Sequence, residues 1–244
     1  MSKVASFPVD RPSQPSATAP RSGVLAVRAA EDEPVDDPEA DEPDTPAAPE
    51  PAKSDSQRAE AGPSPIGDKL FKSRQIQLFG KVDDKLAERV IAQLLALEAD
   101  DADAPITMLI NSPGGSVTSG YAIYDVMRFV QPPIRVVCTG LCASIATIIL
   151  LGADKANRLA LPNTRLLIHQ PLVPMTVYGP ASDLEITANE LLKTRDRLNR
   201  LLAEETGQPH ARIEKDTQRD FWMVADEAIE YGLISRVIRS RSEI

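Results

Sequence analysis

The chain has 244 residues, with 27 Lys and Arg against 36 Asp and Glu and a formal net charge of −9. That balance excludes general nucleic-acid binding, which needs surplus cations to displace the counterions of phosphates. Hydrophobic residues make up 42% and aromatics only 4%, so the chain can bury a core and that core is aliphatic, while no apolar run reaches the roughly 18 residues of a membrane-spanning helix.

The acidity is concentrated at one end. Residues 1–65 hold 12 of the 21 prolines and carry 13 acids against 6 bases. From Glu31 to Glu60 the only large apolar residue is Val35. Such a segment cannot bury enough surface to offset its chain entropy, and residues 1–65 are expected to be a disordered acidic, proline-rich extension or a removable pro-segment. Residues 1–30 carry Lys3, Arg11, Arg21 and Arg28 against Asp10 alone. That is faintly like a transit peptide, so organellar targeting stays open beside a cytoplasmic location. Two cysteines, Cys138 and Cys142, make neither a disulfide framework nor a zinc site, and read as free buried thiols.

Residues 66–244 read as one α/β domain. Arg74–Phe79 alternates as a strand. Asp83 or Asp84 can cap a helix carrying Leu86, Val90, Leu94 and Leu97 at helical spacing. Ile106–Ile110 is a short strand running into the loop Asn111-Ser112-Pro113-Gly114-Gly115, whose glycines let the backbone approach a ligand closely. A helix over Ala122–Val130, a strand over Ile134–Thr139 and a buried helix over Ser144–Leu151 follow. Asn157–Leu161 and Arg165–Ile168 are short strands. Ser182 and Glu185 have capping-box spacing, which opens a helix to about Glu205, stopped by Gly207. Helices near Ala211–Lys215 and Asp226–Tyr231 precede a strand over Leu233–Ile238. Strands alternating with helices predict a mostly parallel sheet.

Candidate chemistry is sparse. His169 and His210 are the only histidines. His169 ends a strand, where a side chain can face a cleft, while His210 follows Pro209 in a polar loop and reads as exposed. Ser144 is either a helix N-cap or a nucleophile at a helix N-terminus. The order Ser144, His169, then a later Asp can supply nucleophile, base and orienting carboxylate. The glycines of an α/β-hydrolase elbow are absent around Ser144, and the 111–115 loop lacks the Lys and Ser or Thr of a phosphate loop.

Together, INSPGGSVTSGYAIYD at 110–125, GLCASIATIILLGA at 140–153, LPNTRLLIHQPL at 161–172, LNRLLAEETGQ at 198–208 and IEKDTQRDFWMVADEAIEYGLI at 213–234 resemble ClpP, the serine peptidase family of ATP-dependent caseinolytic proteases. The resemblance runs from about Leu70 to Ile238. It implies the ClpP/crotonase-like spiral of repeated ββα units with a protruding handle helix, here the helix from about Asp183. It also implies a serine endopeptidase that hydrolyses unfolded polypeptides inside a chamber of two stacked seven-membered rings. These rings are built from self or paralogous subunits and are fed by an AAA+ unfoldase of the ClpX, ClpA or ClpC type. The chain itself then needs no cofactor or metal, and ATP is used by the partner.

By the same resemblance the nucleophile falls on Ser144, the base on His169 and the orienting acid on Asp220, with Asp216 excluded, while the oxyanion hole falls on the N–H groups of Gly115 and Ile145. The chain departs from the family pattern at several places. Ala146 replaces a usual Gly and Cys142 a usual Ala. Val173-Pro174 replaces a Gly-Gly beside the substrate groove, and Thr107 and Leu109 stand where tyrosines help receive the unfoldase. Two other readings are a crotonase-like acyl-CoA enzyme, which shares the spiral, and a structural or modulatory ring subunit that assembles with an active paralogue.

Overall fold

A computed structural model describes residues 65–172 and 179–244. The expected extension over 1–65, all but its last residue, and the Val173-Pro174 departure lie outside the described residues. The first described element is an unexpected helix, α1 (Pro65–Lys72), whose proline takes the first helical position, where its missing N–H costs nothing.

Five parallel strands form the main sheet in the order β1-β2-β3-β4-β7. These are β1 (Gln75–Phe79), β2 (Ile106–Ser112), β3 (Ile134–Ala143), β4 (Arg158–Ala160) and β7 (Arg236–Val237). Helices lie between the parallel strands, as such crossovers require. In α2 (Asp84–Asp100) the Asp83 carboxylate accepts a hydrogen bond from the Leu86 N–H at 2.8 Å, the expected cap. Its stripe of Leu86, Val90, Leu94 and Leu97 is buried in the core, each side chain stabilising by about 1.5–3 kcal/mol.

Several elements differ from the sequence expectation for local reasons. Helix α3 (Val117–Phe129) starts five residues before Ala122, capped by Ser116. Gly120 lowers helix propensity there, but a Cβ at that position would lie 2.2 Å from Ile145 Cγ1. The glycine lets α3 pack closely on α4 (Ile145–Leu150), and packing outweighs propensity. Strand β3 runs four residues past Thr139 because Gly140, at φ +64, makes a bulge rather than an end. Ile110 pairs with Cys138 but Ser112 pairs with Cys142, so β3 carries two extra residues. The Asn111 side chain secures the bulge, accepting a hydrogen bond from the Leu141 N–H at 3.1 Å.

The bulge also changes partners. Before it β3 pairs with β4, and after it with β5 (Arg165–Ile168). Strand β6 (Phe221–Val224), which sequence reasoning did not separate, pairs antiparallel with β5. The expected Leu233–Ile238 strand shrinks to β7. The Leu233 and Ile234 N–H groups close the end of α7 (Ala225–Tyr231) by donating to the Ala228 carbonyl, after Gly232 turns left-handed at φ +93.

The long helix is α5 (Ala181–Thr206), closed by left-handed Gly207 as expected. Its start corrects the capping-box reading. Pro180 is the N-cap with no side-chain cap bond, and Ser182 lies inside the first turn with its hydroxyl on Asp183. Near its other end, the buried Arg158 guanidinium binds Glu205 and the Leu151 and Ala153 carbonyls, tying α5 to the end of α4. Helix α6 (His210–Asp216) begins at His210, which is half-buried near Asp196 and Glu214 and not an exposed loop residue.

Candidate active site

Three strand ends converge at one edge of the sheet. Ala143 of β3 pairs with Leu167 of β5, and the next residue, Ser144, donates its N–H to the Leu167 carbonyl at 2.9 Å. Ile168 of β5 pairs with Phe221 of β6. Stepping one residue beyond that antiparallel pair sets His169 opposite Asp220. Strand register therefore collects three residues distant in sequence.

The side chains complete a relay. His169 Nδ1 is 2.9 Å from Asp220 Oδ1, and His169 Nε2 is 2.8 Å from Ser144 Oγ. A carboxylate only accepts, so Nδ1 carries the proton and Nε2 is left to accept from the serine hydroxyl. That is the tautomer a general base for Ser144 needs. The His169 side chain is 17% exposed and that of Asp220 62%.

Ser144 holds the N-cap position of α4 without capping it through its side chain. Its hydroxyl makes no cap bond, and its backbone sits at φ 58, ψ −127. A side chain held in such a conformation costs roughly 1–3 kcal/mol, and it persists only where neighbours over-determine it. The Leu167 carbonyl fixes its N–H, and the N–H and hydroxyl of Thr147 both donate to its carbonyl. The sharp turn lifts Oγ out of the strand toward His169, at the N-terminus of α4.

The 111–115 loop packs against this turn and against its own chain. A Cβ on Gly114, at φ +89, would meet the Ala143 carbonyl and Ser144 Cβ at 2.7 Å. One on Gly115, at φ +156, would lie 2.1 Å from the Val82 carbonyl. The loop is stitched to Val82 on both sides, Val82 donating to the Gly114 carbonyl and Ser116 donating to Val82. Neither the Gly115 nor the Ile145 N–H has an acceptor among the described residues, so both can serve an incoming oxygen. The glycines expected to admit a ligand are thus required first by close contacts within the protein.

A groove of about 460 Å³ beside Ser144 and His169 is lined by Lys81, Asp83, Gly115 and Leu172. A much smaller recess of about 20 Å³, lined by Val117, Ile148, Leu198 and Leu202, opens beneath the serine.

Other sequence candidates lie outside this cluster. Asp216 accepts from the Tyr231 hydroxyl at 2.9 Å and pairs with Arg212. Burial, and then that hydrogen bond, push the Tyr231 phenol well above its ordinary value. His210 belongs to α6. Cys138 and Cys142 are free and buried. The hydrogen bond that the Cys142 thiol makes to Cys138, followed by burial, drives it well up, which makes it a poor nucleophile. Ala146 is fully buried behind the serine turn. Among the described residues no acidic, histidine or cysteine cluster could hold a metal ion, and no helix is long and apolar enough to cross a membrane.

Two contributors escaped sequence reasoning. Val82 fixes the glycine loop through backbone alone, which leaves no side-chain signal. Gln170 directly follows His169, and only its position beside the histidine marks it.

Comparison with known proteins places the chain in a family. The Clp protease family model matches residues 59–241. The ATP-dependent Clp protease proteolytic subunit of Paracoccus denitrificans is 52% identical over 170 residues, covering 70% of this chain and 84% of that protein. The solved structure of a ClpP1 point mutant from Listeria monocytogenes superposes with a TM-score of 0.66 at 44% identity, covering 72% of this chain and 98% of that one. With the spiral sheet and the serine turn in the matched region, the chain belongs to the Clp protease family.

Proposed function

We propose that the chain hydrolyses peptide bonds with Ser144, His169 and Asp220 as its catalytic triad. The continuous hydrogen-bond chain from Asp220 through His169 to Ser144 Oγ carries this reading. Ser144 Oγ attacks the peptide carbonyl as its proton passes to His169 Nε2. The tetrahedral intermediate places its oxyanion on the Gly115 and Ile145 N–H groups. His169 then gives the proton to the leaving amine. In the second half, water attacks the acyl-enzyme, with His169 taking one of its protons and returning it to Ser144. Asp220 holds the imidazole tautomer and stabilises the imidazolium.

A fluorophosphonate test addresses the nucleophile. It should label the protein once, with the adduct on Ser144 by peptide mass spectrometry. Labelling elsewhere, or peptide hydrolysis that persists after full labelling, would remove Ser144 from its role.

The oxyanion assignment makes its own prediction. Gly115→Ala is expected to lower kcat by about 10²–10³, the usual loss for one oxyanion donor. The added Cβ cannot coexist with the Val82 carbonyl at 2.1 Å, so the loop and its N–H must shift. Unchanged kcat on a fluorogenic peptide would reject it.

The reading extends to assembly. The Paracoccus relative is named as the proteolytic subunit of an ATP-dependent protease. We read this chain as the corresponding ring subunit, with nucleotide used by an AAA+ partner and unfolded polypeptide as substrate, in the cytoplasm. Two surfaces suit such contacts. Leu184, Ile186 and Leu192 are exposed on α5, the helix that corresponds to the handle. Thr107, Leu109, Val137, Leu161 and Ile238 line a separate cleft of about 410 Å³.

A further inference from the structure

We infer that Gln170 is a positioning residue that sets the distance between His169 and Asp220; this rests on the triad reading above. The need for such a residue follows from the exposure of Asp220. Its side chain is 62% exposed, and His169 is its one hydrogen-bond partner among the described residues. No buried network holds the carboxylate, so its place is set by the backbone that carries it. That backbone is the turn from Thr217 to Asp220, between α6 and β6.

Gln170 grips this turn at two points. Its backbone N–H donates to the Thr217 carbonyl at 2.6 Å, and its side-chain Nε2 donates to the Gln218 carbonyl at 2.9 Å. The turn is anchored from behind as well. The buried Thr217 hydroxyl contacts Asn199 Oδ1 at 3.0 Å and the Ile213 carbonyl at 2.8 Å. The carboxylate therefore hangs from a turn fixed on one side by α5 and α6 and on the other by the residue next to the base. Because Gln170 adjoins His169, any movement of the strand end carries both partners of the 2.9 Å contact together. Strand pairing alone stops at Ile168 and Phe221, and Gln170 extends the register past the two working residues.

Removing the side-chain grip frees the Gln218 carbonyl and lets the turn drift, while the backbone bond to Thr217 remains. A displacement of a fraction of an ångström weakens the orientation of the imidazole, which acts on the chemical step rather than on substrate binding. Gln170→Leu is expected to lower kcat about tenfold with KM changed less than twofold. Gln170→Glu, of the same shape but with no donor when ionised, is expected to do the same, and guards against a folding effect of the leucine.

The deciding measurement is a double-mutant cycle with Asp220→Asn on the assembled protein, read on a fluorogenic peptide. If Gln170 acts through Asp220, adding Gln170→Leu to Asp220→Asn costs less than twofold. Full tenfold additivity, or no loss in either single Gln170 variant, overturns the positioning role while leaving the triad intact. If Asp220→Asn alone leaves kcat unchanged, the triad reading fails and the inference with it.

Discussion

Ser144→Ala is expected to lower peptide turnover by about 10⁶-fold, the loss seen when other serine peptidases lose their nucleophile. The change deletes one atom, Oγ, whose contact is His169 Nε2 at 2.8 Å. The backbone bonds that hold the turn come from the Ser144 N–H and carbonyl and survive the change. Thermal stability should therefore stay within about 0.5 kcal/mol, as for a partly exposed site with no lost packing. Steady-state kinetics on a fluorogenic peptide, paired with a melting curve, separates loss of chemistry from loss of fold. Turnover above about one hundredth of wild type would sink the assignment.

Asp220→Asn is expected to cost about 10³-fold in kcat. An amide can present its NH₂ to His169 Nδ1, which moves the imidazole proton to Nε2. A donor then faces the serine hydroxyl, and the base is lost. The penalty is set below the roughly 10⁴ of buried triads, because water already screens a carboxylate that is 62% exposed. Asp216→Asn is the control. That carboxylate is engaged by Tyr231 and Arg212, so kcat should change less than twofold. Equal losses in the two variants would mean that neither carboxylate orients the base.

The residues that the structure brings together were legible in the sequence, but the way they meet was not. Ser144 and His169 stood out because nucleophile-capable turns and histidines are rare here. Asp220 depended on the family resemblance, since nothing in residues 213–224 distinguishes it from Asp216 by composition. The structure supplies the distinction through β6, a strand of four residues too short to register as a pattern. The bulge at Gly140 was hidden for a similar reason, since glycine in a strand reads as an end unless the partner strand is known. Gly120 misled in the opposite direction, lowering the apparent helix propensity of a segment whose packing on Ile145 requires it. Local propensity located the elements with strong periodicity, above all α2, and failed where a tertiary contact chose the residue.

The β5–β6 pairing is also the part of the site whose two strands lie furthest apart along the chain. Ser144 and His169 lie 25 positions apart, but His169 and Asp220 lie 51 apart, with the 26-residue α5 between them. Contacts of such separation close late, because the loop entropy must be met before the contact contributes. During synthesis the serine and histidine emerge well before the aspartate, and β6 cannot pair until α5 and α6 have left the ribosome. On the triad reading, a growing or half-folded chain thus lacks the 2.9 Å contact that orients His169 until β6 has paired with β5.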